Sequence, residues 1–313
     1  NILYNYSMKI LDKSFGNKPV NIDDALRFAD ILSKSANHKK SEKHRLWAQE
    51  IVALLNEING NDDKINTYAT SVLSNIGNYR GLQLVKTDYK STSFLDELFV
   101  NFDLEYLAIP YQKERYFFHS QKEIYNHLED ECFSYSGPTS MGKSLIMQTF
   151  IKDKIINNFE GNFAIIVPTK ALITEVTLNI CIDLKEELSN HHYKVVNSGN
   201  SLFLKQNNLH YIFVMTPERL LYTLISFPDI SIKYLFIDEA HKISEKDGRS
   251  VFYYKVTDML SEREIKPHII LASPNIPNPD EYLKIIPDTI NLRRNSLATS
   301  FSPVSQMKYL VDL

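Results

Sequence analysis

The chain of 313 residues holds only two cysteines, Cys132 and Cys181, so no disulfide framework can staple it. A reducing cytoplasm is the compartment this usage suggests. There is no run of about 18 apolar residues, which excludes a membrane-spanning helix. Residues 1–20 show no basic start followed by an apolar core, so no secretory signal is read there. Nine glycines, with 43% hydrophobic and 23% charged residues, leave no room for collagen-like, coiled-coil or fully disordered classes. No charge of one sign dominates: 35 Lys and Arg face 38 Asp and Glu, for a net charge of −3. Bulk charge therefore gives no argument for nucleic acid, and any such argument must come from local motifs. No internal repeat or low-complexity tract is present. The first residue is Asn1 rather than Met, so residues upstream are expected.

What is present divides in two, as expected for a length of two domains of roughly 150 residues. Residues 1–110 read as an all-α domain. Asn21 with Asp23 and Asp24 opens a helix running to Ala36, with acids at the positive end of its dipole. Ser41 opens a second, in which Trp47, Ile51, Leu54, Leu55 and Ile58 share a face. A third covers Asp62 to Ile76 and stops at Gly77, and a fourth begins near Ser93. The basic run from His38 to Arg45 reads either as a solvated helix start or as a phosphate contact. After Pro110 short apolar strands alternate with helix-length segments. The strands are Cys132–Ser136, Phe163–Val167, Tyr193–Val196, Tyr211–Val214, Tyr234–Ile237 and His268–Ala272. Helices fall near 143–157, 170–189, 217–226 and 251–263. Strands apolar throughout and separated by helices predict an α/β domain over 111–313, with a parallel sheet covered on both faces.

The strongest motif is Gly137-Pro138-Thr139-Ser140-Met141-Gly142-Lys143-Ser144, a full match to the phosphate-loop pattern. The glycines let backbone N–H groups curl around phosphate oxygens, and the following helix offers its positive N-terminus. Lys143 reaches the β- and γ-phosphates, and the Ser144 hydroxyl coordinates Mg²⁺. The cofactors expected are therefore ATP and Mg²⁺. The second motif is the apolar strand ending in Asp238-Glu239-Ala240-His241. It delivers two acids where a parallel sheet places ligands. Asp238 suits Mg²⁺, and Glu239 suits a general base that polarises the attacking water. Alone, such a pair is more often a helix cap; downstream of a phosphate loop it is a hydrolytic pair.

At these residues a resemblance becomes specific. Asp-Glu-Ala-His is the signature of DEAH-type superfamily 2 helicases, and residues 112–313 resemble their first RecA-like lobe. Pro168-Thr169-Lys170-Ala171-Leu172 resembles motif Ia and Thr216-Pro217-Glu218-Arg219-Leu220-Leu221 motif Ib. The resemblance implies that Thr169, Lys170, Thr216 and Arg219 hold a nucleic-acid backbone, positioning a strand without reading its bases. On a plainer reading Thr216 and Pro217 simply start a helix. Ser198-Gly199-Asn200 sits where relatives carry Thr-Gly-Asp. Leu271-Ala272-Ser273-Pro274-Asn275-Ile276-Pro277-Asn278 occupies the place of motif III. It keeps the Ile-Pro-Asn tail of the Ski-like branch and departs from its Ser-Ala-Thr. The resemblance makes Ser273 and Asn275 coupling residues and joins His241 to them. Phe118-His119-Ser120-Gln121-Lys122-Glu123 resembles the adenine-reading segment, with Gln121 matching the donor and acceptor of adenine's edge. The helical first third paired with this lobe is similar to the helicase subunits of the bacterial Hachiman antiphage system.

The resemblance implies an ATP-dependent helicase that acts on DNA or RNA, with DNA favoured, in phage defence. A protein partner such as a nuclease effector is expected on the helical domain, with no membrane. In such enzymes a second lobe supplies arginines to the γ-phosphate, and comparable arginine fingers are worth about 10³–10⁵ in rate. The stretch after Asn278 is too short for that lobe, and Phe301-Ser302-Pro303-Val304-Ser305-Gln306 reads as the linker toward it. A fragment of a longer enzyme, nearly inactive alone, is expected. Arg293 and Arg294 are read as surface residues, His191, His192 and His210 as no zinc site, and both cysteines as buried. The 18 tyrosines and 17 phenylalanines read as core packing. The alternative from another class is a regulatory P-loop ATPase acting on a protein partner without nucleic acid. A scaffold with a vestigial pocket is disfavoured, because every expected nucleotide-contacting residue type is present.

Overall fold

The computed structural model describes residues 21–37, 40–82, 84–85, 94–112, 114–198, 209–245, 248–287 and 293–300. These divide into two compact units, with the boundary between His119 and Ser120.

The first unit is helical: α1 (Ile22–Ser33), α2 (Ser41–Asn59), α3 (Asp63–Asn75), a single turn α4 (Tyr79–Leu82) and α5 (Phe94–Leu107). Asn21 caps α1, its side chain accepting the Asp23 and Asp24 N–H groups at 3.0 and 3.3 Å. Asp62 caps α3 through the Lys64 N–H. Both satisfy donors that the first helical turn leaves unpaired. Gly77 ends α3 at φ 71°, with Asn78 N donating to Leu73 O and Gly77 N to Ser74 O. This is the pair of bonds that closes a helix over a left-handed glycine. A Cβ at Gly77 would lie 2.5 Å from the His119 ring, so another residue would have to displace that ring as well as strain the backbone. The core is Phe28, Leu32, Val52, Val72 and Leu73, with Trp47 and Ile51 at its margin. The expected apolar face of α2 is only partly used, because Leu54 and Ile58 are 42% and 78% exposed. His38 and Lys39 of the basic run lie outside the described residues, and Lys43 and Arg45 are exposed at the start of α2.

The second unit is a seven-stranded sheet in the order β3-β4-β2-β5-β6-β1-β7. The strands are β1 (Cys132–Ser136), β2 (Asn162–Ile166), β3 (Tyr193–Val196), β4 (His210–Met215), β5 (Ile232–Ile237), β6 (His268–Ser273) and β7 (Arg294–Ala298). Every pairing is parallel. The helices are α6 (His119–His127), α7 (Lys143–Ile156), α8 (Lys170–Asp183), α9 (Lys185–Asn190), α10 (Pro217–Ser226) and α11 (Ser250–Ser261). The central strands are buried along nearly their whole length, which is why they read as continuous apolar runs. This is the expected RecA-like α/β architecture. Phe150, Phe159, Phe163, Tyr193, Tyr234 and Phe236 form a chain of ring contacts of 6.5 Å or less between centroids, so these aromatics are packing residues.

Three expectations are corrected. Cys181 is exposed: α8 buries Ile173, Val176 and Ile180, and Cys181 lies one residue, about 100° of rotation, off that stripe. Arg294 is not a free surface residue. It opens β7 and donates to the carbonyls of Ile286 and Pro287 at 3.2 and 3.3 Å. The segment read as one helix over 170–189 is two, α8 and α9, broken at Leu184. Among the described residues no helix is long and apolar enough to cross a membrane. Nor do three or more His, Cys, Asp or Glu side chains gather there to hold a metal.

Candidate nucleotide and nucleic-acid site

The motif segments of the second unit share one placement, following the carboxyl ends of parallel strands. Gly137 follows β1, Pro168 follows β2, Thr216 follows β4, Asp238 follows β5 and Ser273 ends β6. In open α/β sheets this edge is where ligands bind.

The phosphate loop leaves β1 at Gly137, makes a 3-10 turn over Thr139–Met141, and enters α7 through Gly142 at φ 82°. Two glycines are needed for separate reasons. A Cβ on Gly137 would sit 2.3 Å from the Met141 sulfur, and one on Gly142 would lie 3.0 Å from the Gln121 amide nitrogen. Gly142 also holds a left-handed conformation that costs other residues about 1–2 kcal/mol. Pro138 is buried, Thr139 is exposed and Ser140 half-buried at the turn. The Lys143 ammonium is largely buried and donates to the carbonyls of Gly137 and Pro138 at 3.2 and 3.4 Å. Burial lowers its pKa, opposed by the nearby Glu239 and Asp238 charges. Gln121, on α6, is 2% exposed and donates to the Met141 carbonyl at 2.6 Å. At least one of its amide hydrogens is thus committed to the loop rather than left for a base.

Lys143, Ser144 and Asp238 line one cavity, whose floor is Tyr135, Met147, Phe236, Ile237, Ile270 and Ala272. Burial raises the Asp238 carboxyl, Glu239 adds to the rise, and the Glu239 N–H, Lys143 and His241 oppose it. Glu239 sits at φ 55°, a left-handed conformation at a non-glycine residue, with its N–H on Asp238 Oδ1 at 2.9 Å. Such backbone is strained, and here it lies within the acidic pair itself. His241 Nδ1 comes within 3.1 Å of Glu239 Oε2 without hydrogen-bond alignment, and that buried nitrogen has no other partner.

The donor set fits a magnesium nucleotide. The loop is shaped by glycines whose Cβ positions are crowded, and a buried cation, a hydroxyl and a carboxylate line one cavity beside it. Mg²⁺ favours few protein oxygens, completing its shell with phosphate and water.

The segment carrying Ser273 and Asn275 is hydrogen-bonded to β1 and the phosphate loop. Ser273 is fully buried and donates to the Tyr135 carbonyl at 3.3 Å. Asn275 N donates to Gly137 O. Ser136, the last residue of β1, accepts the Ile276 N–H at 2.6 Å and donates to the Pro274 carbonyl at 3.4 Å. The sequence did not single out Ser136, because its hydroxyl acts across 140 residues.

Of the residues assigned to a nucleic-acid strand, Thr169, Lys170 and Arg219 are exposed at the strand ends. Thr169 also caps α8 by accepting the Leu172 N–H at 3.3 Å, and Arg219 donates to the Asn197 carbonyl at 3.1 Å. Thr216 is turned inward, 7% exposed, with its hydroxyl bonded to Glu218. It precedes α10 without a capping bond, and Pro217 takes the first helical position as expected. Gly199 and Asn200 fall outside the described residues, as does the stretch Phe301–Gln306.

Residues 118–281 match the DEAD/DEAH box helicase family. The chain is similar to several solved helicase structures. Mss116p bound to ssRNA and AMP-PNP is 20% identical over 55% of this chain and 37% of its own, with a TM-score of 0.44. The DUF1998 helicase MrfA bound to DNA is 16% identical over 59% of this chain and 27% of its own, with a TM-score of 0.46. Helicase Lhr of Mycobacterium smegmatis, bound to ssDNA and AMP-PNP, is 15% identical over 57% and 25%, with a TM-score of 0.44. The chain therefore spans well under half the length of each. No curated protein matches it.

Proposed function

This chain belongs to the DEAD/DEAH box helicase family, and on that premise we propose that it is the ATP-binding lobe of a nucleic-acid-dependent ATPase that translocates along or unwinds its strand. The observation that carries the reading is the single cavity holding Lys143, Ser144 and Asp238, flanked at neighbouring strand ends by Thr169, Lys170 and Arg219. Lys143 would leave its carbonyl partners to meet the β- and γ-phosphates, and Ser144 and Asp238 would hold Mg²⁺. The metal, when bound with ATP, offsets charge on the phosphates. Glu239 orients the attacking water and takes its proton.

Exposed Thr169, Lys170 and Arg219 contact phosphates, which fits a motor indifferent to sequence. DNA is favoured over RNA as the strand. The pairing of a helical unit with this lobe supports a role in phage defence in the cytoplasm, within the Ski-like branch and the Hachiman type. In that reading the domains are residues 1–110 and 111–313, and the helical domain docks a protein partner such as a nuclease. Loss of that partner on deletion of residues 1–105 is expected, and unchanged partner binding would sink the idea.

The test of the main reading is ATP hydrolysis by the parent protein with and without single-stranded DNA and RNA, beside Lys143→Ala. Stimulation by a polymer, abolished by the substitution, is expected. Hydrolysis indifferent to both polymers yet lost with Lys143 would establish the regulatory ATPase instead.

A further inference from the structure

Arg249, half-buried ten residues past the acidic pair, has no place in the reading above, yet its guanidinium is among the most constrained groups in the unit. Its Nε and Nη2 donate to Glu218 Oε1 and Oε2 at 2.6 and 3.0 Å, a two-pronged pair. Its Nη1 donates to the Pro168 carbonyl at 2.7 Å. Planar, forked contact of this kind fixes geometry as well as supplying energy.

The partners matter more than the pair. Pro168, just past the end of β2, is the residue before Thr169 and Lys170, while Glu218 lies in the first turn of α10, between Thr216 and Arg219. The Glu218 carboxylate also takes the Thr216 hydroxyl, and its pKa is held low: burial raises it, but the bonds from Arg249 and Thr216 outweigh that. One cation thus spans the two strand ends that carry every residue assigned above to nucleic acid. Arg249 stands just before α11, on the chain that leaves Asp238-Glu239-Ala240-His241.

We propose that Arg249 is a positioning residue for nucleic-acid binding: through Glu218 and the Pro168 carbonyl it sets the spacing between the two strand-contacting segments. It rests on the proposed function, since it presumes that those segments grip a strand. Arg249 acts through its neighbours, with at least three of its five N–H donors given to Glu218 and the Pro168 carbonyl. Without the brace, Thr169 and Lys170 on one side and Arg219 on the other lose their common register, and small misplacement of contacting groups is costly.

The brace makes a prediction opposite in sign to simple electrostatics. Glu218 is a negative charge beside a phosphate-binding face, so removing it should tighten an anionic strand. If it anchors the brace, removing it should loosen the strand. Fluorescence anisotropy of the full chain with labelled oligothymidylate and oligouridylate, at fixed salt, separates the two. Arg249→Ala and Glu218→Gln are each expected to weaken binding about tenfold, and the double variant no further than the worse single one. Affinity for a fluorescent ATP analogue is expected to stay unchanged. Arg249→Lys, which keeps charge but loses the fork, should fall between. Tighter binding by Glu218→Gln, or independent losses that multiply in the double variant, would overturn the proposal. If Arg249→Ala does not fold, the isosteric Glu218→Gln still decides. Failure of the unsubstituted chain to bind either polymer would instead overturn the function on which the brace rests.

Discussion

At the residue scale the phosphate loop was legible because its requirements are local: glycines, lysine and hydroxyl lie within eight consecutive positions. Gly142 illustrates the cost of ignoring one. At φ 82° and with Gln121 Nε2 in the way of a Cβ, Gly142→Ala is expected to abolish nucleotide binding and to lower stability by about 1–2 kcal/mol. Titration with a fluorescent ATP analogue and thermal melting would show both effects, and normal binding would refute the assignment. Ser136 and Arg249 were not legible, since each finds its partners far along the chain and neither belongs to a recognisable spacing. Ser136→Ala strips the Ile276 N–H of its acceptor and should cost about 1 kcal/mol. Chemical denaturation reads that loss as a shifted midpoint with an unchanged slope. A motif III without Ser-Ala-Thr directs its serine, Ser273, to the Tyr135 carbonyl, and His241 is left facing Glu239.

At the element scale the apolar strands were visible, each boundary falling within two residues, because strands buried on both faces leave continuous hydrophobic runs. β7 was not seen for the same reason inverted. Its sequence Arg-Asn-Ser-Leu-Ala has no apolar run, none of its residues is fully buried, and among the described residues it pairs only with β1 at the sheet edge. Side-chain anchors hold it. Asp130 receives Asn295 Nδ2 at 2.7 Å and sits 2.7 Å from His127 Nδ1. Burial alone would raise the Asp130 carboxyl, but these bonds prevail and its pKa is lowered. A carboxyl lowered in the folded state adds stability above its unfolded value near pH 4, and that stability fades as pH falls through the lower folded value. Asp130→Ala is therefore expected to speed amide exchange in β7 at pH 7. The difference from the unsubstituted chain should shrink below pH 4. A difference independent of pH would disprove the anchor.

At the scale of the whole molecule, two units with separate buried clusters share one chain, and the cavity lined by Lys143, Ser144 and Asp238 lies wholly within the second. A ligand that binds only the folded pocket stabilises it by mass action: Mg²⁺–ATP at 100 times its dissociation constant adds about 2.7 kcal/mol. Calorimetry should show that gain, and Lys143→Ala should erase it. The Lys143 bonds to Gly137 and Pro138 carry a consequence for binding as well. The loop holds its own competitor: two backbone carbonyls occupy the ammonium that an incoming phosphate chain must win. An anion offering one weak contact cannot outbid both carbonyls, whereas a polyphosphate engaging the loop amides and the lysine together can. On the proposed function, selectivity for long phosphate chains over free phosphate is expected to follow from this internal exchange of partners.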